Sequence, residues 1–312
     1  MDNYIRNREV ALKNKVIAQT MREDFEEFWN ASLVELRAVP LEVQREKIQT
    51  PFEKYFTTER VYFSTHDRTK ICAYFTYPND RKEKRPCVVR FHGGKLRKEL
   101  QSDIPATGVC LLDIDVRGQG GESYDRAAYS CAYNNELMTQ GLLDKKEFYM
   151  RNIYLDAVRA VDVAATLPEV DPTRIVTFGG SQGGALSIAA SALSGKVKKC
   201  FTYVNSYACI HRRIDLGSGV FGGVRDFLRI YPHLTDAALE TVSYFDINNL
   251  VSLLKVPTSV CLCLDDPVCL PEFVYSPYAH IPCEKELYMY PFWKHLLPVD
   301  HKLLVYGEFA AL

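Results

Sequence analysis

The sequence predicts an α/β fold: a mostly parallel central sheet flanked by helices. Two observations carry that prediction. Short apolar, β-branched runs alternate along the 312 residues with stretches of helical periodicity, as strands joined by crossover helices do. One such run, Arg174-Ile-Val-Thr-Phe, turns through Gly179, Gly180, Gly183 and Gly184 around Ser181 and enters the helical pattern Ala185-Leu-Ser-Ile-Ala-Ala. The length allows a single large domain over 1–312.

Taken in order, residues 1–50 read as an N-terminal helical extension laid on the main domain. Phe25, Phe28, Trp29 and Leu33 recur at helical spacing behind Glu23-Asp24, a pattern that marks packing. Arg60–Ser64 and Lys70–Tyr77 read as a hairpin joined by His66-Asp67-Arg68-Thr69, an antiparallel edge to the sheet. Pro86–Phe91 and Gly108–Val116 are strands with too short a connection for a confident helix, and Tyr149–Leu167 is a helix. After the strand of Lys199–Val204, residues 206–255 break the rhythm with helical pieces at 227–231, 236–244 and 248–254, an insertion that could serve as a lid. Strands return at Thr258–Leu264 and Lys285–Tyr290, and His301–Ala311 closes as a helix.

Charge and composition exclude several classes. The formal net charge of −1, with both signs interspersed, offers no field for nucleic acid or an anionic membrane. The basic run Arg81–Arg85 beside Asn79-Asp80 reads as a solvated loop. No apolar run is long enough to span a bilayer, and Met1–Glu9 lacks a signal-peptide core, so a cytoplasmic location is expected. Ten cysteines are then expected as thiols, six of them (Cys72, Cys87, Cys110, Cys200, Cys261, Cys263) in apolar strands. Cys261, Cys263 and Cys269 lack a second pair and a histidine in ligand spacing, so no metal and no cofactor are expected. Gly217-Ser-Gly-Val-Phe-Gly222 has dinucleotide-fingerprint spacing but follows no convincing strand.

Gly179-Gly-Ser181-Gln-Gly183 fits Gly-x-Ser-x-Gly, the nucleophile elbow of α/β-hydrolases. A serine on a strained strand-to-helix turn projects its hydroxyl, and only residues without Cβ fit around the bend. Asp265 and Asp266 end the strand after the insertion, and His295 follows the next one, which gives the chain order Ser, acid, His of this fold's triads. His280 and His301 are worse placed competitors. Oxyanion donors are expected from the N–H of Gln182 and from the loop His92-Gly93-Gly94, with Gly94 favoured.

Val116-Arg-Gly-Gln-Gly-Gly121, the Gly179–Gly184 elbow and Asp266-Pro-Val-Cys-Leu-Pro271 resemble the cephalosporin C deacetylase / acetyl xylan esterase family, carbohydrate esterase family 7. Asp24–Trp29, Asp156–Val161, Val170–Ile175 and Ser243–Asp246 extend the likeness in order from about residue 20 to the end. The resemblance implies Ser181 as nucleophile, His295 as base and Asp266, in preference to Asp265, as its orienter. Arg117 and Gln119 would support the elbow from the neighbouring loop. It also implies deacetylation of small carbohydrates and cephalosporins, no metal, and a cytoplasmic homohexamer. Other hydrolase chemistry on the same scaffold (a peptidase or longer-acyl esterase) and a non-catalytic binding protein are the alternatives. The chain departs from the family pattern where Leu296 follows the histidine in place of Glu, and where Gly94 stands in place of Tyr. The segment from Gly94 to the next strand also looks short.

Overall fold

A computed structural model describes residues 2–80 and 83–312. Met1, Arg81 and Lys82 lie outside the described residues, and with the last two goes part of the basic run expected as a loop. The strands are β1 Gln44–Ile48, β2 Phe56–Ser64, β3 Lys70–Pro78, β4 Arg85–Phe91, β5 Cys110–Ile114, β6 Val170–Gly180, β7 Val197–Tyr203, β8 Thr258–Cys263 and β9 Lys285–Tyr290. The helices are α1 Asp2–Lys13, α2 Phe25–Ala38, α3 Tyr149–Ala164, α4 Gln182–Ser194, α5 Ile210–Leu216, α6 Gly222–Ile230, α7 Thr235–Ser243, α8 Ile247–Leu250, α9 Pro271–His280 and α10 Val299–Ala310.

One sheet runs β1-β2-β3-β5-β4-β6-β7-β8-β9. The pairs from β5 to β9 are parallel, while β1, β2 and β3 form an antiparallel end joined to β5. Central strands such as β8 and the end of β6 are buried on both faces, which is why they read as unbroken apolar runs. From β4 the chain crosses to β5 on one side and to β6 on the other. That reversal opens a crevice at the carboxyl ends of β4 and β6, the usual ligand site of an open α/β sheet.

The aromatic stripe of α2 is packing, as expected. Phe28 lies 4.9 Å from Tyr244 and Trp29 5.6 Å from Phe245, centroid to centroid. The Trp29 indole N–H donates to Tyr244 O at 3.1 Å, so this extension is clamped to the insertion after β7.

Three local readings differ from the structure. Residues 1–50 are not wholly helical, because Gln44–Ile48 pairs with β2 as the edge strand. Its charged Gln-Arg-Glu-Lys pattern has no buried face to announce a strand. Helix α9 was not expected, since Pro277 sits inside it and proline normally breaks a helix interior. The insertion holds a further helix, α5, beyond the three pieces anticipated. All ten cysteines are free thiols, eight of them buried. Gly217–Gly222 follows α5 and not a strand, so its fingerprint spacing lacks the required context.

Candidate active site

The elbow is built from backbone clearances. Ser181 ends β6 at φ 56°, ψ −122°, a region a non-glycine residue occupies only under strain. Its backbone is nonetheless fully engaged: its N–H donates to Tyr203 O at 3.1 Å, and its carbonyl accepts from Ser206 N at 2.9 Å and Ala185 N at 3.2 Å. A Cβ on Gly183 would collide with the carbonyl of Phe91, and one on Gly180 with the Tyr203 ring, so the tight strand-to-helix turn admits only glycine there. Among the described residues the Ser181 hydroxyl has no hydrogen-bond partner, which leaves it free to rotate.

The loop after β4 lies beside the elbow. A Cβ on Gly93 would sit 4.0 Å from Ser181 Cβ, and one on Gly94 3.8 Å from Gln182 Oε1. His92 anchors the loop: its Nδ1 faces Gly93 O at 2.7 Å while Nε2 accepts the N–H of Val116 at 3.0 Å. This pairing sets the neutral tautomer, and burial holds its pKa below the ordinary value.

Gln119 joins the two halves. Its Nε2 donates to Gln182 Oε1 at 2.7 Å and Tyr149 OH at 3.1 Å, while its Oε1 accepts from Lys95 N at 3.0 Å and Gln182 Nε2 at 3.1 Å. Tyr207 OH donates to the same Gln182 Oε1 at 2.6 Å. Arg117 is wholly buried, forked onto Asp156 at 2.6 and 2.7 Å and onto Asp67 at 2.7 and 3.2 Å. Its own carbonyl receives Tyr149 OH at 2.7 Å. Burial pushes Asp156 up to about 6 against the pull of that guanidinium, and Asp67 is held below the carboxylate range by Arg117 despite burial.

Asp266 and His295 meet beyond β8 and β9. His295 Nδ1 lies 2.8 Å from Asp266 Oδ2, and the other carboxylate oxygen accepts from Val268 N at 2.8 Å and Cys269 N at 2.9 Å. The carboxylate is therefore aimed before the histidine arrives. Asp265 is exposed, and its N–H donates to Trp293 O at 3.1 Å, tying the two loops together. Burial lowers the affinity of His295 for a proton, but the Asp266 hydrogen bond and the Cys269 thiol outweigh it and raise its pKa above the ordinary value. Of the competing histidines, His280 faces Ile17 O at 2.9 Å and His301 faces Tyr290 OH at 3.2 Å, both in packing roles.

A cavity of about 340 Å³ opens beside the glycine loop and the residue after Ser181, lined by Gly94, Gln119, Leu137, Met138, Gln182 and Tyr207 among others; Ser181, Asp266 and His295 are not part of its lining. The sequence does not mark Tyr149 and Tyr207 as site residues, and it offers Cys269 only as a metal-ligand candidate beside Cys261 and Cys263, a reading set aside for want of a histidine in ligand spacing.

A serine on a glycine-cleared elbow, facing a glycine loop and followed in chain order by a bonded Asp–His pair, defines the class: an α/β-hydrolase. The acetyl xylan esterase (AXE1) family profile matches residues 11–303, and the chain belongs to that family. It is 28% identical over 281 residues to the acetyl esterase Axe7A of Xylanibacter ruminicola, covering 88% of this chain and 63% of that protein. It superposes on an acetyl xylan esterase from a Paenibacillus species with a TM-score of 0.91 and 28% identity, covering 96% and 98% of the two chains. Acetyl xylan esterase 1 from a Thermoanaerobacterium species gives 0.89 and 28%, covering 96% and 97%. Among the described residues no helix is long and apolar enough to cross a membrane.

Proposed function

We propose that this chain is a serine esterase that removes acetyl groups from small carbohydrates through an acyl-enzyme. The observation that carries the reading is the Asp266–His295 hydrogen bond at 2.8 Å, on loops that follow β8 and β9 at the same end of the sheet as the Ser181 elbow. Ser181 Oγ attacks the ester carbonyl as His295 Nε2 takes its proton, and Asp266 holds the imidazole by Nδ1–H. The N–H groups of Gln182 and Gly94 receive the developing oxyanion, each worth about 2.7–4 kcal/mol in such sites. His295 then gives the proton to the leaving alcohol and activates the water that releases acetate.

Family membership and two acetyl xylan esterase structures matched over almost their whole length support acetyl as the acyl group. The cavity of about 340 Å³ is near the lower end of ligand-pocket sizes, about 300–1,000 Å³, and suits a small ester. A second groove of about 720 Å³ shares Lys95 and Gln119 with it and offers room for further sugar units. A Cβ on Gly94 would meet only ordinary contact, so the glycine leaves open the rim that the family's tyrosine covers. A cytoplasmic homo-oligomer remains the assembly suggested by the family resemblance.

Acetate release from acetylated xylo-oligosaccharides and a cephalosporin tests this reading. Wild type should release acetate and Ser181→Ala should lose about 10⁴–10⁶-fold in kcat. Release from neither substrate by wild type removes the substrate class. A preference for long acyl chains among p-nitrophenyl esters would favour a longer-acyl esterase instead.

A further inference from the structure

Beneath the candidate base lies a group the esterase reaction does not use. Cys269 is wholly buried, and one ligand atom from each of Asp266, Cys269 and His295 lies within 4.8 Å of the others. Among the described residues no other group of three or more such side chains comes this close. We propose that these three side chains form a site for a thiophilic divalent cation, zinc or cadmium, and that its binding switches the esterase off.

The donor set is one sulfur, one nitrogen and one oxygen. Tetrahedral zinc takes such ligands at about 2.3 Å for sulfur and about 2.0–2.2 Å for nitrogen and oxygen, with the fourth position left to water. Those arms place ligand atoms roughly 3.3–3.7 Å apart, so the Asp266–His295 pair, 2.8 Å apart, opens by about 0.5 Å to admit the ion. The Asp266 carboxylate is pinned by two backbone N–H groups, and the adjustment falls to His295. That residue is the one member of the group open to solvent, with a quarter of its side chain exposed. The same exposure gives the cation its way in. A thiolate and a carboxylate supply two negative charges to meet a doubly charged ion, which magnesium or calcium, with their preference for all-oxygen shells, would not exploit.

Proton accounting explains the switch. Cys269 binds as thiolate, and its proton leaves to solvent. His295 Nδ1 gives its lone pair to the metal, so the ring proton resides on Nε2 and the hydrogen bond to Asp266 is replaced by coordination. Nε2 is then a donor and can no longer accept the proton of Ser181. The switching half of the proposal rests on the triad of the preceding subsection; the binding half does not.

The test titrates purified wild type with cadmium, reading thiolate-to-metal charge-transfer absorption, and measures zinc inhibition of p-nitrophenyl acetate hydrolysis with reversal by EDTA. Cys269→Ser should lose one equivalent of the cadmium signal and raise the zinc inhibition constant at least tenfold. Cys269→Ala, which keeps the buried position apolar, gives the same readings where the serine disturbs folding. A cadmium signal unchanged by both variants, or equal zinc inhibition of wild type and variants, overturns the proposal. So does Cys269-dependent binding that leaves an active enzyme uninhibited. If wild type has no esterase activity, that sinks the function proposed above, while the cadmium difference still decides the site.

Discussion

The sides of the crevice that carry the proposed nucleophile and the proposed base are built by different means. Ser181 sits between β6 and α4, its strained backbone held by Tyr203, Ser206 and Ala185 and its surroundings cleared by glycines. His295 sits on a loop beyond β9, the strand at the sheet's other edge. Its neighbours Phe292 and Leu296 are 69% and 47% exposed. One side is set by the backbone, and the other by a few polar contacts to Asp265 and Asp266. The contrast teaches that substitutions should fail differently on the two sides: in folding at the elbow, and in chemistry at the base.

The largest expected effect tests the base side. Asp266→Asn leaves shape intact but replaces the acceptor of His295 Nδ1, so kcat should fall about 10⁴-fold with little change in melting temperature. On the elbow side, Gly183→Val would drive a side chain into the carbonyl of Phe91 and within 3.0 Å of His92 O. It should cost more than about 4 kcal/mol, seen as loss of a cooperative thermal transition; a normal melt would refute the backbone account.

Gln119 bridges the glycine loop and the elbow through its four amide contacts. Gln119→Leu should lower kcat by roughly a hundredfold, about 2.7 kcal/mol, with KM nearly unchanged. A rise in KM alone would mean that the amide binds substrate and does not position the oxyanion loop.

The smallest effect is a pH dependence of stability beside β9. Burial lowers the pKa of His301 to about 4, below its ordinary 6.5. The unfolded chain therefore binds a proton that the folded one refuses. Stability is complete above about pH 6.5 and is lost as pH falls toward 4, by about 2 kcal/mol. Urea midpoints across that window should decline for wild type and less steeply for His301→Phe, the remaining slope coming from His66, which burial also lowers to about 4.

Much of the elbow was legible because its information is local. Glycine positions, a β-branched strand and a helix pattern are short-range properties of residue type, and they announced both Ser181 and the parallel sheet. The order of acid and histidine was also legible. Choosing Asp266 over Asp265 needed a family resemblance, since spacing along one loop does not say which carboxylate turns inward. In the structure it is Asp266 that bonds His295.

What tertiary structure decided lies between segments far apart in the chain. Tyr149 and Tyr207 reach Gln119 and Gln182 across 30 and 25 residues, with no periodicity to forecast the meeting. The edge strand β1 depends on pairing with β2, not on an apolar face of its own. The sequence sets Cys269 beside Cys261 and Cys263 with no histidine in ligand spacing, whereas the fold groups it with Asp266 and His295. Local propensity specifies turns and faces through a few neighbouring residues, whereas packing alone brings remote polar groups to hydrogen-bonding distance.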